Sequence, residues 1–192
     1  MAESRMTESA GEHWVCAVLA RIGWAPALVR DALERTDILA VQTEAGARRT
    51  IEVQVKTASP SERPNWLLGP RAQQAALSRH EWFALVALQD SPALAPRTFV
   101  VPRDHVAAAA WIHRQDWLTD PGAPAGRRRT SAAQARVQAE VFERYENWWD
   151  LLGTPTDQVP VMLPERFRDL ALDPRVGLPE DHPWQMGLPD WT

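Results

Sequence analysis

The chain has 192 residues, a formal net charge of −4 and a hydrophobic fraction of 45%. This length favours one well-buried domain with extensions over two full domains, and the negative charge argues against a protein whose main task is to coat nucleic acid non-specifically. No apolar stretch is long enough to cross a membrane, the polar N-terminus differs from a signal peptide, and the lone Cys16 excludes an internal disulfide. We therefore predict a cytoplasmic protein with no membrane partner.

The first part of the chain predicts a helix followed by three strands. Apolar residues recur at three- and four-residue spacings over residues 7–23, which is typical of an amphipathic helix. Glu12 lies near the border of the apolar stripe, where it could lean toward the strands or serve only as a partner of the helix dipole. A short strand is predicted within 27–30, and strands over 38–41 and 48–57 form a hairpin that turns at Gly46. Prolines make residues 59–70 a predicted loop.

The second part of the chain predicts two strands and several helices. Residues 71–80 predict a short helix, the apolar run 82–88 a strand covered on both faces, and residues 97–101 a further strand. A helix is predicted over 104–111, and the longest helical pattern covers 131–152. The frequent prolines after residue 153 predict a tail with little regular structure, pinned to the body by Leu170, Trp184 and Trp191.

This order of elements predicts an α/β fold, in which a mixed β-sheet is flanked by helices and is followed by extra C-terminal helices and a Pro-rich tail. We predict one domain over residues 7–152, with a core over 11–102, and a C-terminal extension over 153–192.

The predicted hairpin carries a row of polar side chains. Asp37 opens its first strand, and Glu52, Gln54 and Lys56 alternate with valines and an isoleucine on the second strand, so these three share one face. Carboxylate oxygens bind Mg²⁺, and a neighbouring amine can orient or deprotonate a water. These groups are the minimum for metal-assisted cleavage of a phosphodiester. The same alternation is also the default for any strand with one solvated face, so a structural role stays open.

Lys56 is the only lysine of the chain, since every other Lys or Arg position is an arginine. A guanidinium stays charged, whereas an amine can change its pKa when buried and give up a proton. A single lysine within a strand of valines therefore indicates a chemical role.

The helix, the three-stranded meander and the following elements resemble the PD-(D/E)XK nuclease superfamily, which includes restriction endonucleases and archaeal-type Holliday-junction resolvases. The resemblance spans roughly residues 11–102 and is most specific in the hairpin T-D-I-L-A-V…I-E-V-Q-V-K-T. It implies that Asp37 is the metal-binding aspartate, Lys56 the lysine of the third motif, and Glu12 the acidic residue of the first helix. Thr36 stands at the position of the proline in the PD-(D/E)XK motif. Gln54 occupies the (D/E) position, and some members of the superfamily have Q-x-K in this place.

The resemblance implies a restriction-endonuclease-like core and a DNA endonuclease that depends on Mg²⁺ or Mn²⁺. The implied metal ligands are Asp37, Glu52, Gln54 and Glu12, and the implied catalytic residues are Lys56, Asp37, Gln54 and Glu12. A homodimer is a further expectation, since nucleases of this class often dimerise to cut both strands.

Two other hypotheses remain open. Gln54 and the negative net charge favour a catalytically inactive relative that binds nucleic acid or a protein partner. A third possibility is an interaction protein whose Trp-rich C-terminal segment docks on a partner. Outside the hairpin, Trp66 is a candidate for stacking on a nucleobase, and Arg127, Arg128 and Arg129 are candidates for holding phosphates.

Overall fold

The computed structural model describes residues 2–29, 33–44, 47–122 and 131–192. Its helices and strands, in chain order, are α1 (Ala2–Arg21), β1 (Ala25–Leu28), β2 (Ile38–Glu44), β3 (Ala47–Ala58), β4 (Asn65–Leu67), β5 (Glu81–Ala87), β6 (Arg97–Pro102), α2 (Arg103–Thr119), β7 (Arg136–Gln138) and α3 (Glu165–Leu172). Short 3-10 turns occur between several of them. None of the helices in these ranges has both the length and the apolar character that crossing a membrane requires.

Five strands form a mixed sheet in the order β1-β2-β3-β5-β6. The first three are an antiparallel meander, β3 pairs with β5 in parallel, and β5 pairs with β6 antiparallel. Strands β4 and β7 form a separate antiparallel ribbon. The predicted α/β class with a mixed sheet and flanking helices is confirmed. Every residue of β5 is buried, as its continuous apolar run predicts.

The two faces of the sheet are covered by different parts of the chain. Val15 and Leu19 of α1 pack on the face that carries Ile51, Val53 and Val55. The opposite face is covered by α2 and by the C-terminal part of the chain, which share one apolar cluster that includes Phe83, Phe99, Val106, Phe142, Phe167 and Trp184. Because side chains alternate along a strand, Gln54 and Lys56 of β3 lie on this second side.

The C-terminal residues 153–192 have more regular structure than the sequence predicts. Residues 165–172 form α3, so the expectation of a tail with little regular structure is wrong for this segment. Leu170, Trp184 and Trp191 pack against the apolar cluster of α2, which confirms that they pin the tail to the body. The segment therefore buries its apolar side chains in a core that it shares with the domain.

The predicted helix over 131–152 does not form. This stretch contains β7 and 3-10 turns over Ala139–Tyr145 and Trp149–Gly153, with Asn147 at a φ of 57° between the two turns. Most of its predicted apolar stripe is nevertheless buried, namely Val137, Val141, Phe142, Tyr145 and Leu152. The backbone instead pairs with β4, and Ala139 N donates to Pro64 O at 2.9 Å. Tertiary pairing has replaced the local hydrogen bonds of a helix.

The predicted helix over 71–80 is reduced to one 3-10 turn, Pro70–Gln73. The backbone N–H groups that would continue the helix donate hydrogen bonds to side-chain carboxylates instead. Ala76 N donates to Asp104 Oδ1 at 2.7 Å, while Leu77 N and Ser78 N donate to Glu81 Oε1. The connection from β3 to β5 therefore runs through β4 and this turn. The proposed hairpin turn at Gly46 and the arginines 127–129 lie outside the described residues.

Candidate active site

Strands β2 and β3 separate at Asp37, and this separation opens one edge of β3. Ile38 pairs with Val53, and Asp37 N donates to Val53 O at 3.0 Å. Beyond that point β3 continues to Ala58 with β5 as its strand neighbour. The Asp37 carboxylate lies at the fork, where its Oδ2 accepts the Val55 N–H at 2.7 Å. This hydrogen bond orients the carboxylate beside the free edge of the strand.

A cleft of about 620 Å³ lies at this edge, and we refer to it as the cleft. Its wall includes Glu8 and Glu12 of α1, Asp37, Lys56 of β3 and Arg136 of β7. The sequence predicts Glu12, Asp37 and Lys56 as site residues, and the fold brings all three to this one cleft although they belong to separate elements.

Gly11 allows α1 to lie close enough to β3 for this arrangement. A Cβ atom at Gly11 would overlap Thr57 Oγ1 and would lie 3.0 Å from Thr57 Cβ, which is tighter than most Cβ contacts. Thr57 points to α1 while Lys56 points to the other face of β3. The glycine therefore brings the carboxylates that follow and precede it, Glu12 and Glu8, to the edge where Lys56 lies.

Gln54 lies in a buried polar network. Its side chain faces a hollow of about 520 Å³ next to the cleft, which Asp37 and Lys56 also line. Gln54 is 7% exposed, and its Oε1 accepts a hydrogen bond from Arg103 Nη2 at 3.0 Å. Arg103 Nε lies 2.8 Å from Glu81 Oε2, a contact of opposite charges without hydrogen-bond alignment, and Arg35 Nη2 lies 3.3 Å from the same oxygen. The amide oxygen that would bind a metal already has one partner.

The charge of Arg103 persists despite its burial. Loss of solvation, followed by repulsion from Arg35, lowers the pKa of Arg103 to about 10, and Glu81 opposes this change. The guanidinium is still protonated at neutral pH and stacks on Phe83, with 4.7 Å between Arg103 Cζ and the ring centroid. It therefore holds Gln54 as a charged hydrogen-bond donor.

Glu52 does not line the cleft. Its Oε2 accepts a hydrogen bond from Thr36 Oγ1 at 2.8 Å, and Thr36 is buried. Thr36, which directly precedes Asp37, thus holds a carboxylate that the sequence proposes as a metal ligand.

The carboxylates of the cleft meet only part of what a protein-bound divalent cation can require. Within residues 2–29, 33–44, 47–122 and 131–192, no group of three or more His, Cys, Asp or Glu side chains could hold a metal ion. Mg²⁺ in enzymes that act on phosphates is commonly bound by one or two carboxylates, several waters and the substrate. Asp37 and Glu12, which line the same cleft, fit this smaller requirement.

Two charged residues of the cleft, Glu8 and Arg136, were not predicted as site residues. Glu8 precedes Glu12 by one helical turn, and this i, i+4 spacing could have indicated it. Arg136 has no such signal, because its position depends on the pairing of β7 with β4.

The expectation that Trp66 stacks on a nucleobase is wrong. The ring is 2% exposed, its Nε1 donates to Val86 O at 3.1 Å, and it packs edge-on against Phe99. Trp66 is part of the core beneath the cleft.

Comparisons with protein-family models, with curated proteins and with solved structures found no significant match to this chain.

Proposed function

We propose that the protein is a metal-dependent endonuclease that hydrolyses DNA phosphodiester bonds. The observation that carries this proposal is that Glu12, Asp37 and Lys56 line one cleft at the open edge of β3. Two carboxylates can bind a divalent cation, and an amine facing the same space can orient a water, which together support phosphodiester hydrolysis.

Each residue has a distinct role in this proposal. Asp37 and Glu12 would hold Mg²⁺ or Mn²⁺, and the Val55 N–H orients Asp37 for that purpose. The bound cation supplies charge stabilisation for the phosphate and lowers the pKa of a water. Lys56 would orient the attacking water by hydrogen bonding and, as a cation, stabilise the negative charge that develops on the phosphate oxygens.

The test is nicking of supercoiled plasmid with Mg²⁺, Mn²⁺ or EDTA. We expect metal-dependent nicking by the wild type and a loss of at least about 100-fold in Asp37→Asn and Lys56→Met, the magnitude typical of removing one stabilising group. Asp169→Asn and Arg168→Met on the exposed side of α3 are matched controls and should cut at the wild-type rate. Nicking that survives in Asp37→Asn, or in EDTA, would contradict the proposal.

A second candidate function is a catalytically inactive module that binds nucleic acid. It is favoured by the hydrogen bond between Gln54 Oε1 and Arg103, which engages the side chain at the family's acidic position. Under this hypothesis the wild type, Asp37→Asn and Lys56→Met leave plasmid intact in every metal, yet the wild type binds labelled DNA. Metal-dependent nicking by purified wild type excludes it.

A further inference from the structure

A smaller cavity adjoins the cleft and shares Arg136 with it. Its volume is about 200 Å³, and we call it the Trp117 cavity. It is lined by residues of α2 and of the segment that enters β7, among them His113, Arg114, Trp117, Gln134, Ala135 and Arg136. This volume is below the usual range for sites of drug-sized ligands, so the cavity suits a single ring system.

Trp117 presents an aromatic surface to solvent in this cavity. The residue is 41% exposed, whereas Trp24, Trp66, Trp82 and Trp184 are all buried. An exposed indole beside positive charge is the combination that single-stranded nucleic acid uses, with a base stacked on the ring and a phosphate near the cation.

The two arginines of the cavity are not paired with carboxylates in the part of the chain that the structure describes. Neither Arg114 nor Arg136 forms an ion pair with a described carboxylate, unlike Arg35, Arg71, Arg79, Arg97, Arg103 and Arg175. Asn65 Oδ1 accepts a hydrogen bond from Arg136 Nη1 at 2.8 Å, which orients this guanidinium. Its other donors have no hydrogen-bond partner among the described residues, so they can bind a ligand. Arg114 Nε is buried and has no hydrogen-bond partner within the described part of the chain.

We propose that the Trp117 cavity binds an unpaired nucleotide of a DNA strand that passes through the cleft. Trp117 stacks on the base, and Arg136, at the boundary of the two cavities, binds the phosphate between that nucleotide and the next. Arg114 supplies a second donor to the same strand. The inference rests on the proposed function for the identity of the strand in the cleft, and it specifies the substrate as DNA with a single-stranded or frayed segment beside the cut.

The test is fluorescence anisotropy with a short labelled single-stranded DNA and with duplex DNA of the same sequence. Both are measured in EDTA so that no strand is cut. We expect Trp117→Ala to weaken single-strand binding about tenfold, within the range for loss of one stacked base, and to leave duplex binding unchanged. Trp117→Phe keeps an aromatic face and should bind as the wild type does. Arg136→Gln should reduce the slope of log K against log salt by about 0.7, the loss of one single-strand phosphate contact.

The controls are residues of the same type away from the cavity. Trp148→Ala removes an indole that is 44% exposed, and Arg168→Gln removes an exposed guanidinium of α3; both should bind as the wild type. The proposal is overturned if the wild type does not bind the single strand, if Trp117→Ala binds it normally, or if Trp148→Ala weakens binding equally.

Failure of this site and failure of the nuclease function are distinguishable. If the wild type nicks plasmid in a metal-dependent way but Trp117→Ala binds the single strand normally, only the proposal for the Trp117 cavity is refuted. If the wild type never nicks plasmid but its single-strand binding depends on Trp117 and Arg136, the proposed catalytic role is refuted and the binding site is supported.

Discussion

Gln54 and Lys56 lie two residues apart on the same face of β3, but they differ in burial and in their partners. Gln54 is buried and hydrogen-bonded to Arg103, which in turn contacts Glu81. Lys56 lines the cleft and forms no ion pair with the carboxylates of the described residues. Gln54 has a charged partner inside the molecule, whereas neither Lys56 nor Arg136, the cations of the cleft, forms an ion pair with a carboxylate of the described residues. The comparison separates polar residues that hold the fold together from those that face a ligand.

This difference has an energetic reason. A buried charge is tolerated only when a partner of opposite charge and hydrogen bonds replace the lost water. A cation at the wall of an open cleft keeps its water, so it needs no partner for folding. Removing a member of the buried network should therefore cost stability, and removing a cation of the cleft should not.

The largest effect is expected for Arg103→Met, which leaves the Glu81 carboxylate buried with a weakened set of partners. We expect a loss of about 3–5 kcal/mol in the free energy of unfolding, measured by urea denaturation. Arg79→Met is the control, because its pair with Asp157 is half exposed and should cost about 1 kcal/mol or less. Equal losses of stability in the two variants would contradict the claim that the buried network stabilises the fold more than an exposed ion pair does.

Gly11→Ala tests how the packed body positions the acidic wall of the cleft. The new methyl group would overlap Thr57 Oγ1, and overpacking of this kind costs about 1–3 kcal/mol, more than the gain of about 1 kcal/mol in helix propensity. We expect lower stability together with slower plasmid nicking, because Glu8 and Glu12 move away from Lys56. Adding Thr57→Ala removes Oγ1, the overlapping atom, together with Cγ2, and should restore most of the stability. A double variant as unstable as the single one would contradict this mechanism.

The pH dependence tests a second buried polar group, His105, which lies 2.8 Å from the hydroxyl of Tyr145. Burial, followed by the charge of His182, lowers the pKa of His105 to about 3, and burial also lowers the pKa of His182. Between pH 6.5 and 3 the unfolded chain binds more protons at His105 than the folded protein does. The free energy of unfolding is therefore not reduced by His105 above pH 6.5, and it decreases as the pH falls below that value.

We expect His105 alone to account for about 1 kcal/mol of the loss between pH 6 and pH 5, measured by urea denaturation. His105→Gln should reduce this pH dependence, whereas the exposed His80→Gln should leave it unchanged. If His105→Gln retained the full pH dependence, the assignment to this histidine would be wrong.

The smallest effect on stability is expected for Lys56→Met. Since Lys56 has no ion pair within the described chain, the variant should unfold within about 0.5 kcal/mol of the wild type while it loses nicking activity. The measurement is urea denaturation beside the plasmid assay. A loss comparable to that of Arg103→Met would place Lys56 among the residues that hold the fold together.

The sequence was most informative where a pattern has a single structural meaning. Alternation placed Glu52, Gln54 and Lys56 on one face of β3, and the continuous apolar run placed β5 in the middle of a covered sheet. Over residues 131–152 the pattern was ambiguous, because Val137, Val141, Phe142 and Tyr145 are buried both in the predicted helix and in the observed ribbon and turns. The pairing of Trp66 with Val137 decides between them, and these residues are too far apart in the chain for a local pattern to show it.

The sequence by itself determined which polar groups share a strand face, because side-chain direction along a strand depends only on the local backbone. It also singled out Lys56 by composition. Only the tertiary structure decided that Gln54 meets Arg103, that Glu52 meets Thr36, and that Glu12 and Arg136 reach the cleft of Lys56. Most of these contacts join distant parts of the chain and depend on how α1, α2 and the β4–β7 ribbon pack on the sheet. The strand pattern specifies a face, but packing specifies what that face meets.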